Sequence, residues 1–468
     1  MPLLNEDRLF PGDIRGKDLA RKLFASVRDL PIISPHGHTD PRWFAENAQF
    51  KNPAELFVTP DHYVFRMLYS QGVRLEDLGI RSGEKAESPV DPRAVWRVFA
   101  QHYHVFRGTP SRLWIDYSLQ NLFGVNTVLS ADTADEVYDQ IADRLAQPEY
   151  RPRALFEKFD IEVIATTESP LDTLEHHAQI SSSDWDGRVI TTYRPDAVID
   201  PENATFAQNL QSFAVITGED TATWDGYLNA HRERRRDFIA HGATATDHGH
   251  PTARTANLPE NEARKLFETV VRGGHTAEQA EMFRAQMLTE MAKMSLEDGL
   301  VMQIHPGSRR NHSKSIFDKF GADKGFDIPG RTDYVDALGP ILDVVGHNPD
   351  FTLIVFTLDE TSFGRELAPL AGVYPALKLG PAWWFFDSPD GMRRFREVTT
   401  ETAGFYNTVG FNDDTRAFCS IPARHDVARR VDCAYLASLV TSGRLGETDA
   451  FDLAQDLTYR LAKKAYRL

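Results

Sequence analysis

The chain has 468 residues, a hydrophobic fraction of 41% and a net charge of −16, which is the composition of a folded domain rather than a disordered one. A nucleic-acid binder needs a basic face to displace counterions, so the acidic balance argues against that class. No apolar run approaches the roughly 20 residues of a membrane span, and residues 1–7 lack the pattern of a secretory signal. We therefore predict a cytoplasmic protein with neither nucleic acid nor membrane as its partner.

Short apolar or β-branched runs alternate with helical stretches along the whole chain. Eight runs are predicted to be strands: 31–36, 161–167, 188–193, 242–247, 300–305, 352–357, 376–380 and 408–412. About eight strands in alternation with helices are typical of a closed parallel barrel. The predicted fold class is therefore α/β, as a (β/α)8 barrel of the TIM type.

The spacing of the predicted strands is uneven. More than a hundred residues separate the first run from the second, about four times the roughly 30 residues of a βαβ unit. Segments 60–71, 91–107 and 133–145 carry apolar residues at helical spacing. We therefore predict an α-helical subdomain at 41–149 that lies over the barrel mouth, with the barrel formed by 1–40 and 150–468.

Two features outside the strands are interpreted as structural. A further helix is predicted at 219–239, and its basic run at 232–236 is typical of a solvated helix face. The two cysteines, Cys419 and Cys433, are too few for a disulfide framework or a cysteine-based zinc site. We interpret them as reduced thiols.

Two histidines follow the first predicted strand. His36 and His38 stand at i and i+2, and the period of two along an extended chain points both rings to one face. At the carboxyl end of a barrel strand that face is the pocket. Imidazole is a common ligand of borderline metals, so the pair would bind a divalent ion if a carboxylate converged on it. Alone, the motif is weak, and a purely structural role is an equal alternative.

Other polar residues gather at the ends of the remaining predicted strands, where barrel enzymes assemble their sites. They are Arg194 after the third run, Asp247 at the end of the fourth, His305 at the end of the fifth, Arg310 after the fifth, and Asp414 and Arg416 after the eighth. Taken singly, such residues are also explained as surface charges or helix caps. Their shared position favours a functional site.

The arginines in this set suggest an anionic substrate. The planar guanidinium group binds carboxylates through two hydrogen bonds, and Arg194, Arg310 and Arg416 are the candidates. Asp414 and Arg416 stand at i and i+2, so we predict an ion pair that keeps the aspartate ionised as a base or a metal ligand. An ordinary structural ion pair is the alternative.

Aromatic residues complete the set of candidates. In the predicted insert, His62 and Tyr63 precede a helix, and the phenol of Tyr63 is a possible proton donor or acceptor. After the seventh run, Trp383 and Trp384 stand beside Gly380 and Pro381. Aromatic clusters usually belong to a core, but adjacent tryptophans on a rim loop also line the apolar face of a sugar.

With these motifs in order, the chain resembles the uronate isomerase family of the amidohydrolase superfamily over nearly its whole length. The matching residues are His36, His38, Asp61, His62, Tyr63, Arg66, Arg194, Pro195, Asp196, Asp247, His248, Gly249, His305, Gly307, Arg310, Asn311, Trp383, Trp384, Asp387, Gly391, Met392, Asp414, Arg416, Arg424 and His425. The chain departs from the usual family pattern at Gly37, Thr39, Phe386 and Asp426. None of these departures removes a candidate ligand, so they bear on substrate preference rather than on the reaction.

The resemblance implies interconversion of D-glucuronate with D-fructuronate and of D-galacturonate with D-tagaturonate, at the start of hexuronate catabolism. A proton shift between C1 and C2 needs a base, an acid, groups that polarise O1 and O2, and an anchor for the carboxylate. We expect Asp414 to be the base and Tyr63 to return the proton. The catalytic candidates are Asp414, Arg416, Tyr63, His62 and His36; the substrate-binding candidates are Arg194, His305, Arg310, Asp247, Trp383 and Trp384.

The resemblance also implies a zinc-like divalent ion on His36, His38 and Asp414, although an isomerase needs no metal hydroxide. A homo-oligomer is a further family expectation. The main alternative is a metal-dependent hydrolase or lactonase of the same superfamily, which leaves the arginines and Tyr63 without a role. The other is a catalytically silent sugar-acid binding protein, which leaves Asp414 without one.

Overall fold

The computed structural model describes residues 2–82 and 90–468. Its strands are β1 (Ile32–Ser34), β2 (Ile161–Ala165), β3 (Val189–Ile190), β4 (Ala245–His248), β5 (Val301–Ile304), β6 (Ser308–Arg309), β7 (Ile328–Pro329), β8 (Leu353–Val355) and β9 (Leu377–Leu379). Most residues of the parallel strands are buried, as expected for a sheet covered on both faces.

The parallel strands follow one another in chain order. Hydrogen bonds join β1, β2 and β3 in one group and β4, β5, β8 and β9 in another. A parallel bridge between Tyr193 and Thr246 connects the two groups, and another links Leu379 to Thr408. Beyond the first strand, the amide of His38 donates to the carbonyl of Thr415 at 3.1 Å. The predicted α/β fold of the TIM type is confirmed.

Two local features differ from the prediction. The eighth run, 408–412, is not a regular strand, because Gly410 adopts a left-handed φ of +78° that interrupts the extended backbone. Its contact with β9 is the bridge at Thr408. The antiparallel pair of β6 with β7 was not predicted, since strands of two residues carry no recognisable alternation.

Helices cover the outside of the strands. The helices before β2 are α1 (Ile14–Val27), α2 (Pro41–Glu46), α3 (Pro53–Phe57), α4 (His62–Ser70), α5 (Pro92–Gln101), α6 (Pro110–Tyr117), α7 (Ala134–Leu145) and α8 (Pro152–Lys158). Those after it are α9 (Glu175–Ser181), α10 (Asp196–Ile199), α11 (Phe206–Thr217), α12 (Trp224–Ala240), α13 (Glu260–Val271), α14 (Ala277–Asp298), α15 (Lys314–Phe320), α16 (Val335–Ile341), α17 (Ala368–Ala371), α18 (Pro389–Thr400), α19 (Ile421–Thr441), α20 (Glu447–Gln455) and α21 (Leu461–Tyr466). Within the described residues, no helix combines the length and the apolar character needed to cross a bilayer.

The regular elements between β1 and β2 are all helices in the described part of this segment. Their apolar side chains, such as Phe65, Trp96 and Phe123, are buried in one cluster that is separate from the largest core. Residues 83–89 of the predicted insert lie outside the described residues. The boundaries of a subdomain at 41–149 stay a prediction.

The basic run on α12 is only partly solvated, because Arg232 and Arg236 reach the surface but the two arginines between them do not. Arg234 and Arg235 are buried, against the prediction. The guanidinium of Arg235 forms an ion pair with Asp298 at 2.6 Å, and Nε of Arg234 donates to the carbonyl of Pro170 at 2.8 Å. These two residues lie on the helix side that carries the buried Phe238, so their charges are neutralised inside the protein rather than by water.

The last helix lies at the amino ends of the strands. Tyr466 of α21 is buried, and its hydroxyl donates to Oε1 of Gln303 at 2.9 Å. Arg467 then donates to the carbonyls of Gly299 and Asp350, which precede β5 and β8. The C-terminal segment therefore packs at the amino ends of the strands, and the opposite end is free to hold a site.

Candidate active site

A cavity of about 410 Å³ lies at the carboxyl ends of the strands, within the size range of small-molecule sites. Of the residues predicted from sequence, those that line it are His36, His38, His62, Tyr63, Arg194, His305, Arg310, Trp383, Trp384, Asp414 and Arg416. Asp247 is buried behind the wall, in contact with His305 and Arg194. The structure thus brings the predicted residues together from both halves of the barrel and from the inserted segment.

His36, His38 and Asp414 form the first cluster on the wall. The Nε2 atoms of His36 and His38 lie 3.4 Å and 3.1 Å from Oδ1 of Asp414. One ligand atom from each residue lies within 4.8 Å of the others. Two imidazoles and one carboxylate are a donor set that borderline divalent ions accept. The three residues present therefore fit one such ion.

The carboxylate of Asp414 is held in place from several sides. Its backbone has a left-handed φ of +39°, a conformation that aspartate tolerates better than most residues. The indole N–H of Trp383 donates to Oδ2. Burial raises the pKa of Asp414, but hydrogen bonds from His36 and His38 outweigh burial, and the pKa lies well below its ordinary value. The ionised carboxylate is therefore the favoured form.

The predicted ion pair between Asp414 and Arg416 is wrong. The guanidinium of Arg416 pairs with Asp323 at 3.2 Å, and its side chain is 44% exposed. Although the two side chains are neighbours in sequence, the carboxylate turns to His36 and His38 while the arginine extends along the cavity wall. The histidines, not Arg416, keep Asp414 ionised.

Arg194, Asp247 and His305 form a second cluster, in which all three side chains meet. His305 approaches Oδ2 of Asp247 through Nε2 at 3.0 Å, and Nη1 of Arg194 lies 3.5 Å from the same oxygen. Burial raises the pKa of Asp247, but the charges of His305 and His36 outweigh burial and hold it well below its ordinary value. A fully buried anion thus stands behind the cationic part of the cavity.

Asp196 shares Arg194 with Asp247. Nε of Arg194 donates to Oδ2 of Asp196 at 2.9 Å, and the amide of Gly249 donates to both carboxylate oxygens at 3.1 Å. A Cβ atom at Gly249 would lie 2.5 Å from Nη2 of Arg194 and 2.8 Å from Oδ2 of Asp196. Only glycine lets the backbone approach this ion pair so closely.

The unpredicted pair of β6 with β7 positions Arg310. The guanidinium of Arg310 pairs with Asp327 at 2.7 Å, directly before β7, and lies 5.4 Å from the ring centre of Trp384. The amide of Asn311 donates to the same carboxylate at 2.8 Å. Arg310 thus stands between a carboxylate and an aromatic face, with 39% of its side chain exposed.

The inserted segment contributes His62 and Tyr63 at the start of α4. Asp61 caps this helix by accepting from the amide of Tyr63 at 2.8 Å. Burial raises the pKa of Tyr63 well above its ordinary value and lowers that of His62 to about 3, with a further contribution from Arg416 for His62. At neutral pH the cavity therefore holds a protonated phenol and an uncharged imidazole.

Arg424 packs against the rings of Tyr63 and Trp114. It pairs with Asp387 and lies 3.7 Å from the ring centre of Trp114 and 5.5 Å from that of Tyr63. From sequence, Arg424 and Asp387 matched the family pattern but had no predicted role. Asp323, Asp327 and His250 were not predicted, because partners in distant loops leave no local signal in the sequence. The repeated His-Gly-His tripeptide would have indicated His250.

The family model described as glucuronate isomerase matches residues 13–466. The chain belongs to the glucuronate isomerase family. A uronate isomerase of Mesorhizobium japonicum is 64% identical over 466 residues, covering 100% of this chain and 99% of that protein. A uronate isomerase of Xanthomonas axonopodis pv. citri is 64% identical over 465 residues, covering 99% and 98%.

Solved structures of the family agree in fold. The crystal structure of glucuronate isomerase from Caulobacter crescentus has a TM-score of 0.98 and 59% identity, and covers 100% of this chain and 98% of that one. A uronate isomerase from Thermotoga maritima has a TM-score of 0.92 at 28% identity, with 99% of both chains covered. The resemblance drawn from the motifs is confirmed, and the isomerase family is favoured over the hydrolase alternative.

Proposed function

We propose that the protein is an aldose–ketose isomerase of hexuronic acids, which interconverts D-glucuronate with D-fructuronate and D-galacturonate with D-tagaturonate. The observation that carries the proposal is membership of the glucuronate isomerase family over residues 13–466. The cavity supports it, because cationic side chains suited to a carboxylate stand in the same space as an ionised carboxylate and a protonated phenol.

The substrate carboxylate is assigned to Arg194, with Arg310 beside it. Each guanidinium carries five N–H donors, so the ion pairs with Asp196 and Asp327 leave donors for a ligand. Arg194 is the more buried of the two, with 24% of its side chain exposed, so its interaction with an anion is less screened by water. His305 and Asp247 hold Arg194 in position.

The proton transfers are assigned to Asp414 and Tyr63. Asp414, ionised, removes the proton from C2 as O1 gains a proton, which gives a cis-enediol. Tyr63 delivers a proton to C1, a role that fits a phenol kept protonated by burial. When Tyr63 has protonated C1, O2 loses its hydroxyl proton, which makes up for the one gained at O1, and the proton on Asp414 returns through solvent to the Tyr63 oxygen. Trp383 orients the base through its indole N–H. Four further residues polarise and orient the hydroxyls and the ring of the sugar: His36, His62, Arg416 and Trp384.

We assign a single divalent ion, zinc by its donor set, to His36, His38 and Asp414. When bound, such an ion supplies a Lewis acid that polarises a substrate oxygen. A proton shift needs no metal hydroxide, so we expect turnover to survive thorough chelation. A large, reversible loss of activity on chelation would overturn this expectation.

The test is formation of ketouronate from D-glucuronate and D-galacturonate by the purified protein, before and after chelation. Arg194→Met should lose most of kcat/KM, because it removes the anchor of the carboxylate. Arg393→Met, at a surface ion pair with Glu397, is the matched control and should keep wild-type turnover. Absence of turnover with both sugars, metal restored, would refute the proposal, and lactones would then be the next substrates.

Cytoplasmic location and assembly into a homo-oligomer stay predictions from the sequence. The net charge of −16 keeps nucleic acid outside the proposed partners. The proposed partner is the small hexuronate alone.

A further inference from the structure

The tripeptide His-Gly-His occurs twice in the chain, at 36–38 and at 248–250. The first copy follows β1, and the second begins at the last residue of β4. Both copies therefore stand at carboxyl ends of parallel strands, each in a different part of the barrel. The first meets Asp414, while the second meets Asp196, the first residue of α10.

The two copies have similar geometry. The ring centres of His248 and His250 are 6.0 Å apart at an interplanar angle of 86°, against 5.4 Å and 82° for His36 and His38. In the second copy, too, one ligand atom from each histidine and one from Asp196 lie within 4.8 Å of one another. Among the described residues, these are the two groups with that geometry.

In the second copy, each histidine ring has a buried nitrogen atom without a hydrogen-bond partner among the described residues, which indicates a ligand. His248 is fully buried; its Nε2 lies 3.0 Å from the hydroxyl of Thr246, and its Nδ1 has no hydrogen-bond partner within 2–82 and 90–468. His250 is buried, with 7% of its surface exposed, and its Nε2 also lacks a hydrogen-bond partner among the described residues. A buried nitrogen left without a partner is costly, and coordination to an ion would satisfy both.

The carboxylate of Asp196 has room for an additional ligand. It accepts from Nε of Arg194 and from the amide of Gly249, but two carboxylate oxygens offer about four acceptor positions. The missing Cβ of Gly249 lets the carboxylate lie close to the backbone between the two histidines. The hydroxyl of Thr246 would fix the ring of His248, as outer partners of metal-bound histidines do.

We propose that His248, His250 and Asp196 form a second divalent-cation site, distinct from the group of His36, His38 and Asp414. Two imidazoles and one carboxylate favour Zn²⁺ or Co²⁺ over Mg²⁺ and Ca²⁺, which prefer oxygen ligands. The site takes no part in the proposed proton transfers, which use Asp414 and Tyr63, although Asp196 also contacts Arg194, the proposed anchor of the carboxylate.

The experiment counts bound metal. Protein freed of metal by chelation is dialysed against Zn²⁺, and bound zinc is measured by atomic emission. We expect two equivalents for the wild type, one for His250→Gln, and one for the double variant His36→Gln/His38→Gln. His176→Gln, at a partly exposed histidine of α9 outside both groups, is the matched control and should keep two. One equivalent in the wild type, or an unchanged count in His250→Gln, would overturn the proposal.

A milder variant covers the case in which His250→Gln does not fold. Thr246→Val removes the hydrogen bond to His248 and leaves all three ligands in place. One of the two zinc equivalents should then bind about 10-fold to 100-fold more weakly, the usual effect of losing an outer partner. If Thr246→Val binds both zinc equivalents as tightly as the wild type does, the assignment of His248 as a ligand is contradicted.

Discussion

At the scale of single residues, the two oxygens of the Asp414 carboxylate have different surroundings. Oδ1 faces the imidazoles of His36 and His38, whereas Oδ2 accepts from the indole of Trp383. One carboxylate is thus both a candidate metal ligand and the candidate base. Because these roles compete for the same lone pairs, the base function is best tested on the chelated protein.

Asp414→Asn keeps the shape of the side chain and removes its ability to take a proton. A positioned general base contributes about 10²-fold to 10⁴-fold to a rate, so we expect kcat to fall by that factor with a smaller change in KM. The measurement is steady-state turnover of both uronates by chelated protein. Asp390→Asn, at an exposed residue of α18, is the control. Near-wild-type turnover in Asp414→Asn would remove this residue as the base.

The adjacent tryptophans allow a paired test of how the base is oriented. Trp383→Phe keeps an aromatic ring but removes the donor to Asp414. A hydrogen bond to a charged group contributes about 1.5–3 kcal/mol, so we expect kcat to fall roughly 10-fold to 100-fold. Trp384→Phe alters the ring against Arg310 and should change mainly KM. Equal kcat values for Trp383→Phe and the wild type would show that the indole does not position the base.

At the scale of elements, the basic run of α12 ties this helix to the end of α14 through two neighbouring acids. Arg235 donates to Asp298 at 2.6 Å and 2.9 Å, and Arg232 donates to Glu297 at 2.7 Å and 3.0 Å. Both pairs have two hydrogen bonds. They differ in surroundings, since the Arg235 side chain is fully buried and the Arg232 pair lies at the surface.

Removing the acidic residue from each pair in turn shows how much burial adds to the stability that an ion pair with two hydrogen bonds contributes. Asp298→Ala leaves the buried charge of Arg235 without its partner, and we expect the free energy of unfolding to fall by about 3–5 kcal/mol. Glu297→Ala removes an exposed partner and should cost about 0–1 kcal/mol. Chemical denaturation of both variants and the wild type measures the difference. Similar losses in the two variants would contradict the role given to burial.

At the scale of the whole molecule, the alternation of strands and the position of the site could be predicted from sequence. Strands buried on both faces are continuous apolar runs, and the carboxyl ends of parallel strands share one rim. Residues such as His36 and His305, each the last residue of a predicted run, were therefore predicted to meet in one cavity. The short pair of β6 with β7 was missed because two residues carry no periodicity.

The partners of charged side chains could not be predicted in the same way. Arg416 pairs with Asp323, which is 93 positions away in the chain, although Asp414 stands only two positions away. Arg235 was expected in water and is buried against Asp298. Both outcomes depend on the direction of a side chain after tertiary packing, and local sequence does not contain that information.

One buried carboxyl links the stability of the whole chain to pH. Glu168 lies after β2, forms a bridge with Tyr193 and accepts from the hydroxyl of Thr191. Burial raises its pKa to about 7 from an ordinary value of 4.5, and the charges of Asp172 and Asp40 add to this effect. Nε2 of His177 lies 3.8 Å away, with a pKa lowered by burial to about 4, so this imidazole brings no charge to the carboxyl at neutral pH.

A carboxyl with a raised pKa binds its proton more tightly in the folded chain than in the unfolded one. Its contribution to stability is therefore complete below pH 4.5 and is lost as the pH rises to about 7. Glu168→Gln keeps a neutral side chain at every pH, so the free energy of unfolding of the wild type minus that of the variant should decrease across this window. At 1.36 kcal/mol per pH unit the decrease amounts to about 3 kcal/mol.

The comparison between wild type and Glu168→Gln also removes the effects that the two proteins share. The growing self-repulsion of a chain with a net charge of −16 acts on both proteins. Denaturation curves of both proteins are measured at pH 5, 6, 7, 8 and 9. The difference between their free energies of unfolding should fall up to about pH 8 and then stay constant. If this difference in free energy stays constant from pH 5 to pH 8, Glu168 is already ionised in the folded protein, and a buried negative charge lies beside the backbone bridge to Tyr193.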